Sequence, residues 1–236
     1  MERTAIVTGG SQGLGRALVR RLLDDGWRVV TDARRADRLT ATAAELTDDG
    51  RAVTADRLIA LTGDIADEVH RRALVEAAGG RIHLVLNNAS TLGATPLRRV
   101  DALSVEDLRA TFDVNVVAPV ALIVEAGTRL ASGVAVVNVS SDAAIEVYET
   151  WGGYGASKAA LDHLSRVLAA ERPDLRVYAV DPGDMRTEMH QAAFPGEDIG
   201  DRPLPDASAA AIVALVDGDR PSGRYRTSDL VGEEVR

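Results

Sequence analysis

Short apolar runs alternate with segments of helical period along the chain, and no other feature constrains its fold as strongly. Ala5-Ile6-Val7 is the first run, and Arg28–Thr31, Leu58–Leu61, Ile82–Leu86, Val134–Val139 and Leu175–Val180 are five more. Leu14, Leu18 and Leu22 recur at i, i+4, i+8 on one helix face, and a charged, Ala-rich helix is expected over Arg35–Thr47. Strands that are apolar on both faces need cover on both sides, so strands separated by helices predict a parallel sheet between two helical layers. The expected architecture is one doubly wound α/β domain over residues 1–236, with six to seven strands. In such a sheet ligands bind at the carboxyl ends of the strands.

Charge and residue usage remove several functional classes. The chain carries 27 Lys and Arg against 36 Asp and Glu, a net charge of −9. A dedicated nucleic-acid binder needs a basic face, so that class is not expected. With no cysteine, disulfides, thiol nucleophiles and Cys-ligated metals are excluded. The four histidines, His70, His83, His163 and His190, show no paired ligand spacing, so no metal site is expected. No stretch approaches 18 uninterrupted apolar residues, and Met1–Thr8 lacks a signal-peptide run. The expectation is a cytoplasmic protein with no membrane partner.

Immediately after the first run the chain reads Thr8-Gly9-Gly10-Ser11-Gln12-Gly13-Leu14-Gly15, and a helix begins near Gly13. Glycines at a strand–helix junction let backbone N–H groups approach a pyrophosphate, and the helix N-terminus adds partial positive charge. Taken alone, the same glycines could form a simple turn. Farther along, Tyr154 and Lys158 stand at i and i+4 at the start of a helix whose core face continues through Leu161, Leu164 and Leu168. That spacing puts an ammonium beside a phenol, where a positive charge should lower the phenol pKa and assist proton transfer. The helical pattern Leu108, Phe112, Val116 meets Pro119, which has no N–H for the carbonyl of Asn115. That carbonyl needs another donor, and a bound water or an ordinary proline kink would both answer.

These elements resemble the single-domain short-chain dehydrogenase/reductase family, with its Rossmann-type fold. The resemblance rests on Thr8–Gly15, Asn87-Asn88-Ala89-Ser90, Asn115, Ser140-Ser141, Tyr154-Gly155-Ala156-Ser157-Lys158 and Asp181-Pro182-Gly183 with Thr187, in order and at strand ends. It implies an oxidoreductase in which Tyr154 is the general acid–base, Ser141 orients the substrate oxygen and Lys158 supports Tyr154 and the cofactor ribose. Asn115 would hold a relay water. Ser141 rather than Ser140 takes its role because the family's serine lies 13 positions before the tyrosine. The resemblance also implies a dinucleotide held by Gly9, Ser11, Gln12, Gly13, Leu14 and Gly15, with Asp64 and Ile65 at the adenine. Asn88 and Ala89 would line the ribose, and Pro182, Gly183 and Thr187 the nicotinamide amide.

The chain reads Val30-Thr31-Asp32-Ala33-Arg34-Arg35 where an acidic residue would select NAD. Ala33 stands at the selecting position and Arg34 follows, suited to clamping a 2′-phosphate. NADP(H) is therefore favoured, while Asp32 leaves NAD(H) open and Arg34 and Arg35 could simply begin a solvated helix. The expected reaction is hydride exchange with a small carbonyl or secondary alcohol. The alternatives are an NAD-dependent alcohol dehydrogenase and a non-catalytic dinucleotide sensor or scaffold. Tyr148, Trp151 and Tyr154 should form one wall of the substrate pocket. The irregular stretch 184–206, with Pro195, Gly196, Gly200, Pro203 and Pro205, reads as a lid or a pair of short helices. The C-terminal Pro221–Arg226 departs from the family's closing strand, which puts a tetramer in doubt and leaves a homodimer as the expected assembly.

Overall fold

The computed structural model describes residues 3–48 and 56–231. Its strands are β1 (Thr4–Val7), β2 (Arg28–Ala33), β3 (Leu58–Thr62), β4 (Ile82–Asn87), β5 (Leu130–Val139), β6 (Arg176–Asp181) and β7 (Gly223–Arg226). They form one parallel sheet of seven in the order β3-β2-β1-β4-β5-β6-β7. The helices are α1 (Gly13–Asp24), α2 (Ala36–Asp48), α3 (Glu68–Ala77), α4 (Val105–Phe112), α5 (Ala118–Ala126), α6 (Gly152–Glu171), α7 (Glu188–Ala193), α8 (Pro205–Asp217) and α9 (Thr227–Val231). This is a doubly wound Rossmann-like sheet. The chain winds outward from β1 in one direction and from β4 in the other, so a crevice opens between their carboxyl ends.

Alternation along each strand divides the core. Ala5, Val7, Val29, Leu84, Leu86, Val137 and Val180 pack beneath α1 and α8, while Ile6, Val30, Val85, Val136 and Val177 pack beneath α3 and α5. All four residues of β1 are buried. Each apolar side chain so removed from water contributes about 1.5–3 kcal/mol.

Two elements differ from the sequence reading, and a shortened last strand agrees with it. Strand β5 begins at Leu130 rather than Val134, because the register slips between Ile82 and Leu84 and absorbs Gly133, whose φ is 71°. The stretch 184–206 holds one short helix, α7, whose first turn is capped by Thr187 Oγ1 accepting from His190 N at 3.1 Å. Its end is followed by Pro195 and Gly196, and Pro205 opens α8, so the prolines and glycines flank structure here. Strand β7 is present but only four residues long. The polar tail lies outside the described residues from 232 onward.

The helical stretch Val105–Arg129 is long and apolar enough to cross a bilayer by length and composition alone. In the fold, Ala118, Leu122, Ile123 and Ala126 of this stretch are buried against the sheet.

Candidate active site

A cleft of about 450 Å³ runs across the carboxyl ends of the strands. It brings together every site residue nominated from sequence except Asn115, which is buried behind it, and Tyr148, expected on the pocket wall, which is exposed and outside the lining. At one end lies the glycine loop. Gly9 has φ 73°, Gly13 φ 52°, and a Cβ on Gly15 would stand 2.1 Å from Gly9 O. The first strand–helix turn is thus a cradle that side chains would fill, with the N-terminus of the 12-residue α1 behind it. These are the features a dinucleotide pyrophosphate requires, so the residues present fit such a cofactor. Asn88 spends its side-chain amide on the cradle, donating to Thr8 O at 2.9 Å and Gly9 O at 3.2 Å. Thr8 Oγ1 accepts from the N–H groups of Asn88 and Ala89, both at 3.0 Å.

Asp32 does not face the cleft as a free ribose ligand. Its Oδ1 accepts from Gly9 N at 2.7 Å and its Oδ2 sits 3.0 Å from His70 Nε2, all within the protein. The carboxylate braces the glycine loop against α3. Neither His70 nor this bracing was legible in sequence, because α3 and β2 meet only through the fold. Arg34 is exposed on the cleft wall and has no ion pair among the described residues. Nearby, Arg38 spans the cleft mouth to Glu188 on α7 at 2.6 Å and also reaches Gln12. Asp64 is exposed and caps its own turn through Ala66 N at 3.0 Å, whereas Ile65 is buried.

Tyr154 and Lys158 lie near the start of α6, 7% and 2% exposed. Lys158 Nζ donates to Val139 O at 2.8 Å and stands 5.5 Å from the Tyr154 ring centre. The sequence predicted a depressed phenol pKa, and the structure reverses that expectation. Burial pushes Tyr154 up to about 12, against weaker opposing interactions with the Ser141 and Ser90 hydroxyls. Burial also pulls Lys158 down to about 8, with the charge of Asp162 acting the other way. The reason is that both groups share a low-dielectric setting in which either charge is penalised. At neutral pH the pair is a phenol beside an ammonium.

Asn115 sits in a π turn, Asp113–Val117, where Ala118 N–H reaches back to Asp113 O. The over-wide turn accommodates Pro119 one residue into α5. The Asn115 side chain is fully engaged: Oδ1 accepts from Thr91 N at 2.9 Å and Ser90 Oγ at 3.1 Å, and Nδ2 donates to Thr91 O and Ser157 Oγ. Ser157 Oγ in turn donates to Tyr154 O at 2.6 Å. Asn115 therefore ties the loop after β4 to the helix bearing Tyr154.

Ser141 Oγ donates to Asp142 Oδ1 at 2.8 Å, and Tyr148 OH donates to Asp142 Oδ2 at 2.8 Å. Burial raises the Asp142 pKa, but the hydrogen bonds from Tyr148, Ser141 and Ala143 N outweigh it and hold the carboxyl below its ordinary value. Trp151 lines the cleft and packs edge-on against Tyr154 with ring centres 5.7 Å apart. Beyond the end of β6, Gly183 has φ 72° and donates its N–H to Asp181 Oδ1 at 3.0 Å. Pro182 O is held by Ser208 and Thr227 hydroxyls at 2.8 and 2.9 Å.

Arg224 on β7 joins these parts. Its guanidinium donates to Ser141 O at 2.9 Å, pairs with Asp162 Oδ2 at 2.9 Å and lies 3.4 Å from Asp181 Oδ2. One side chain thus links the β5 end, the helix carrying Lys158 and the strand preceding Pro182. Alternating arginines at 224 and 226 were the only sequence signal for it.

The family model for short chain dehydrogenase matches residues 3–198. An uncharacterized oxidoreductase of Methylorubrum extorquens is 30% identical over 97% of this chain and 95% of its own length. Sepiapterin reductase of Xenopus laevis is 32% identical over 80% of this chain and 75% of its own. Among solved structures, an alcohol dehydrogenase from Thermococcus sibiricus complexed with 5-hydroxy-NADP superposes with a TM-score of 0.82 at 26% identity, covering 96% of each chain.

Proposed function

The chain belongs to the short-chain dehydrogenase/reductase family, an oxidoreductase family that binds a nicotinamide dinucleotide and acts on small molecules, and on that premise we propose that it is an NADP(H)-dependent carbonyl reductase. The observation that carries the reading is the phenol–ammonium pair at the inner end of the cleft, with Ser141 beside it. A phenol that stays protonated up to about pH 12 carries, throughout the neutral range, the proton that reduction must deliver to the carbonyl oxygen.

When bound, the reduced cofactor supplies a hydride to the carbonyl carbon. The carbonyl π electrons then pass to oxygen, and Tyr154 delivers its phenolic proton there, giving the alcohol. Ser141 Oγ, freed from Asp142, orients the substrate oxygen. Lys158 holds positive charge beside the phenol below about pH 8 and would hold the ribose, while Asn115 fixes the segment after β4 against α6. Gly9, Ser11, Gln12, Gly13, Leu14 and Gly15 would hold the pyrophosphate, with Ile65, Ala89 and the Pro182–Thr187 segment along the remaining length. Two features support NADP over NAD: Arg34 on the cleft wall has no ion pair among the described residues, and Asp32 is already spent on Gly9 and His70. The segment 184–206, tied to α2 by Arg38–Glu188, would close over the substrate as a lid. The same reading pairs two copies through exposed Val117, Val120 and Val124 on one helix and Leu164 and Val167 on α6.

The test is Tyr154→Phe, assayed for NADPH oxidation against a ketone panel and for NADPH binding by fluorescence. Turnover should fall at least about a hundredfold with binding retained. Normal turnover in the variant would sink the assignment.

A further inference from the structure

Resting on the reductase reading, the geometry points to a substrate that carries a cationic ammonium group close to its carbonyl, held by the Asp142 carboxylate in the cleft that Trp151 also lines. Two features of the same cleft support this. The first is a carboxylate on the cleft wall directly beside the orienting serine: Asp142 Oδ1 is 2.8 Å from Ser141 Oγ. A carbonyl oxygen on Ser141 places the substituents one or two atoms away within reach of that carboxylate. Asp142 has no salt-bridge partner among the described residues; its charge is stabilised only by hydroxyl and amide donors, with Arg226 acting at longer range.

The second feature is aromatic. Trp151 lines the cleft, with Tyr148 at 6.1 Å and Phe194 at 5.7 Å between ring centres. A cation over an indole face is attracted by the ring quadrupole, more strongly when water is excluded. Of the cationic groups nearby, Lys158 has its Nζ held by Val139 O at 2.8 Å, and the arginines are met by carboxylates. Asp184 lies 3.8 Å from both His190 and Arg202, and Asp181 is met by Arg224 and Arg226. Glu188 is paired with Arg38. Among the described residues Arg202, Arg224 and Arg226 at this end already meet carboxylates, an arrangement that favours amino ketones over α-keto acids.

The reaction class follows: the α- or β-carbon bears the ammonium group, hydride adds to the carbonyl carbon, and the product is an amino alcohol. The experiment compares phenacyltrimethylammonium with its neutral isostere, 3,3-dimethyl-1-phenylbutan-1-one, and with benzoylformate, in wild type and Asp142→Asn. The cation-to-isostere ratio of kcat/KM should fall at least tenfold in the variant, and the relative rate with benzoylformate should rise. Taking the ratio cancels both the intrinsic reactivity of the ketones and any general effect on Ser141. An unchanged ratio overturns this inference while leaving the reductase intact.

Binding of benzyltrimethylammonium and phenylacetate, followed through Trp151 fluorescence with and without NADPH, needs no turnover. Tighter binding of the cation that is lost in Asp142→Asn supports the site. Equal binding of the two ions refutes it. Failure to bind NADPH or to reduce any ketone, with the cation preference intact, would instead count against the reductase reading.

Discussion

Lys158 should make the nucleotide-free protein less stable than it need be, and the size of that cost can be worked from its burial. The side chain is 2% exposed, and its pKa falls from 10.5 to about 8 in the folded protein. Each unit is worth about 1.4 kcal/mol, so holding the ammonium inside costs about 3 kcal/mol at pH 7. Between pH 8 and 10.5 the unfolded chain binds the proton that the folded chain has released, so this contribution makes stability rise with pH across that window. Below pH 8 the cost is fully present, and above 10.5 it is gone.

Lys158→Met keeps the volume and removes the charge. It also removes the donor to Val139 O, a loss of about 1–2 kcal/mol. The variant should therefore be about 1–2 kcal/mol more stable than wild type at pH 7, a gain of about 2–8 °C in Tm for a chain of this size. Near pH 10.5 only the lost hydrogen bond remains, and the order should reverse. Urea unfolding of both proteins without nucleotide, at pH 7 and at pH 10 or above, measures both differences. A variant less stable at pH 7, by a margin that does not move with pH, would refute the reasoning. The variant should also be inactive, stability gained at the expense of the site.

Four other outcomes follow from the same geometry. With Tyr154 protonated to about pH 12 and Lys158 to about 8, kcat/KM for reduction should hold through neutrality and decline as pH rises past about 8, as a pH–rate profile would show. Gly15→Ala places a Cβ 2.1 Å from Gly9 O, so NADPH affinity in a fluorescence titration should drop at least about tenfold with the fold retained by circular dichroism. Arg224→Leu leaves Asp162 and Asp181 without their shared guanidinium, a loss of about 3–5 kcal/mol in chemical denaturation that Lys should only partly restore. Arg34→Glu should shift the NADPH-to-NADH affinity ratio by about tenfold or more towards NADH; an unchanged ratio would remove Arg34 from cofactor selection.

Much of this protein is written locally. The unbroken apolar run of β1, the glycines after it and the i, i+4 relation of Tyr154 to Lys158 each depend on neighbours in sequence, so the layer architecture and the order of site residues were readable from the chain. The β5 start and α7 were harder to place, because a glycine inside a slipped strand and prolines around a short helix mimic loop composition.

What the sequence could not supply depends on residues far apart that meet only when the sheet closes. Asp32 reads as a candidate ribose ligand until His70, 38 positions on, and Gly9 claim its two oxygens. Arg224 reads as part of a polar C-terminal segment until β7 pairs with β6 and carries its guanidinium to Ser141 and Asp162. The pKa of Tyr154 was misjudged for the same reason. Spacing places the ammonium next to the phenol, but only the packed fold excludes the water that would have stabilised a phenolate there. Bonding partners and dielectric are properties of the tertiary structure, whereas periodicity and turn chemistry belong to the chain itself.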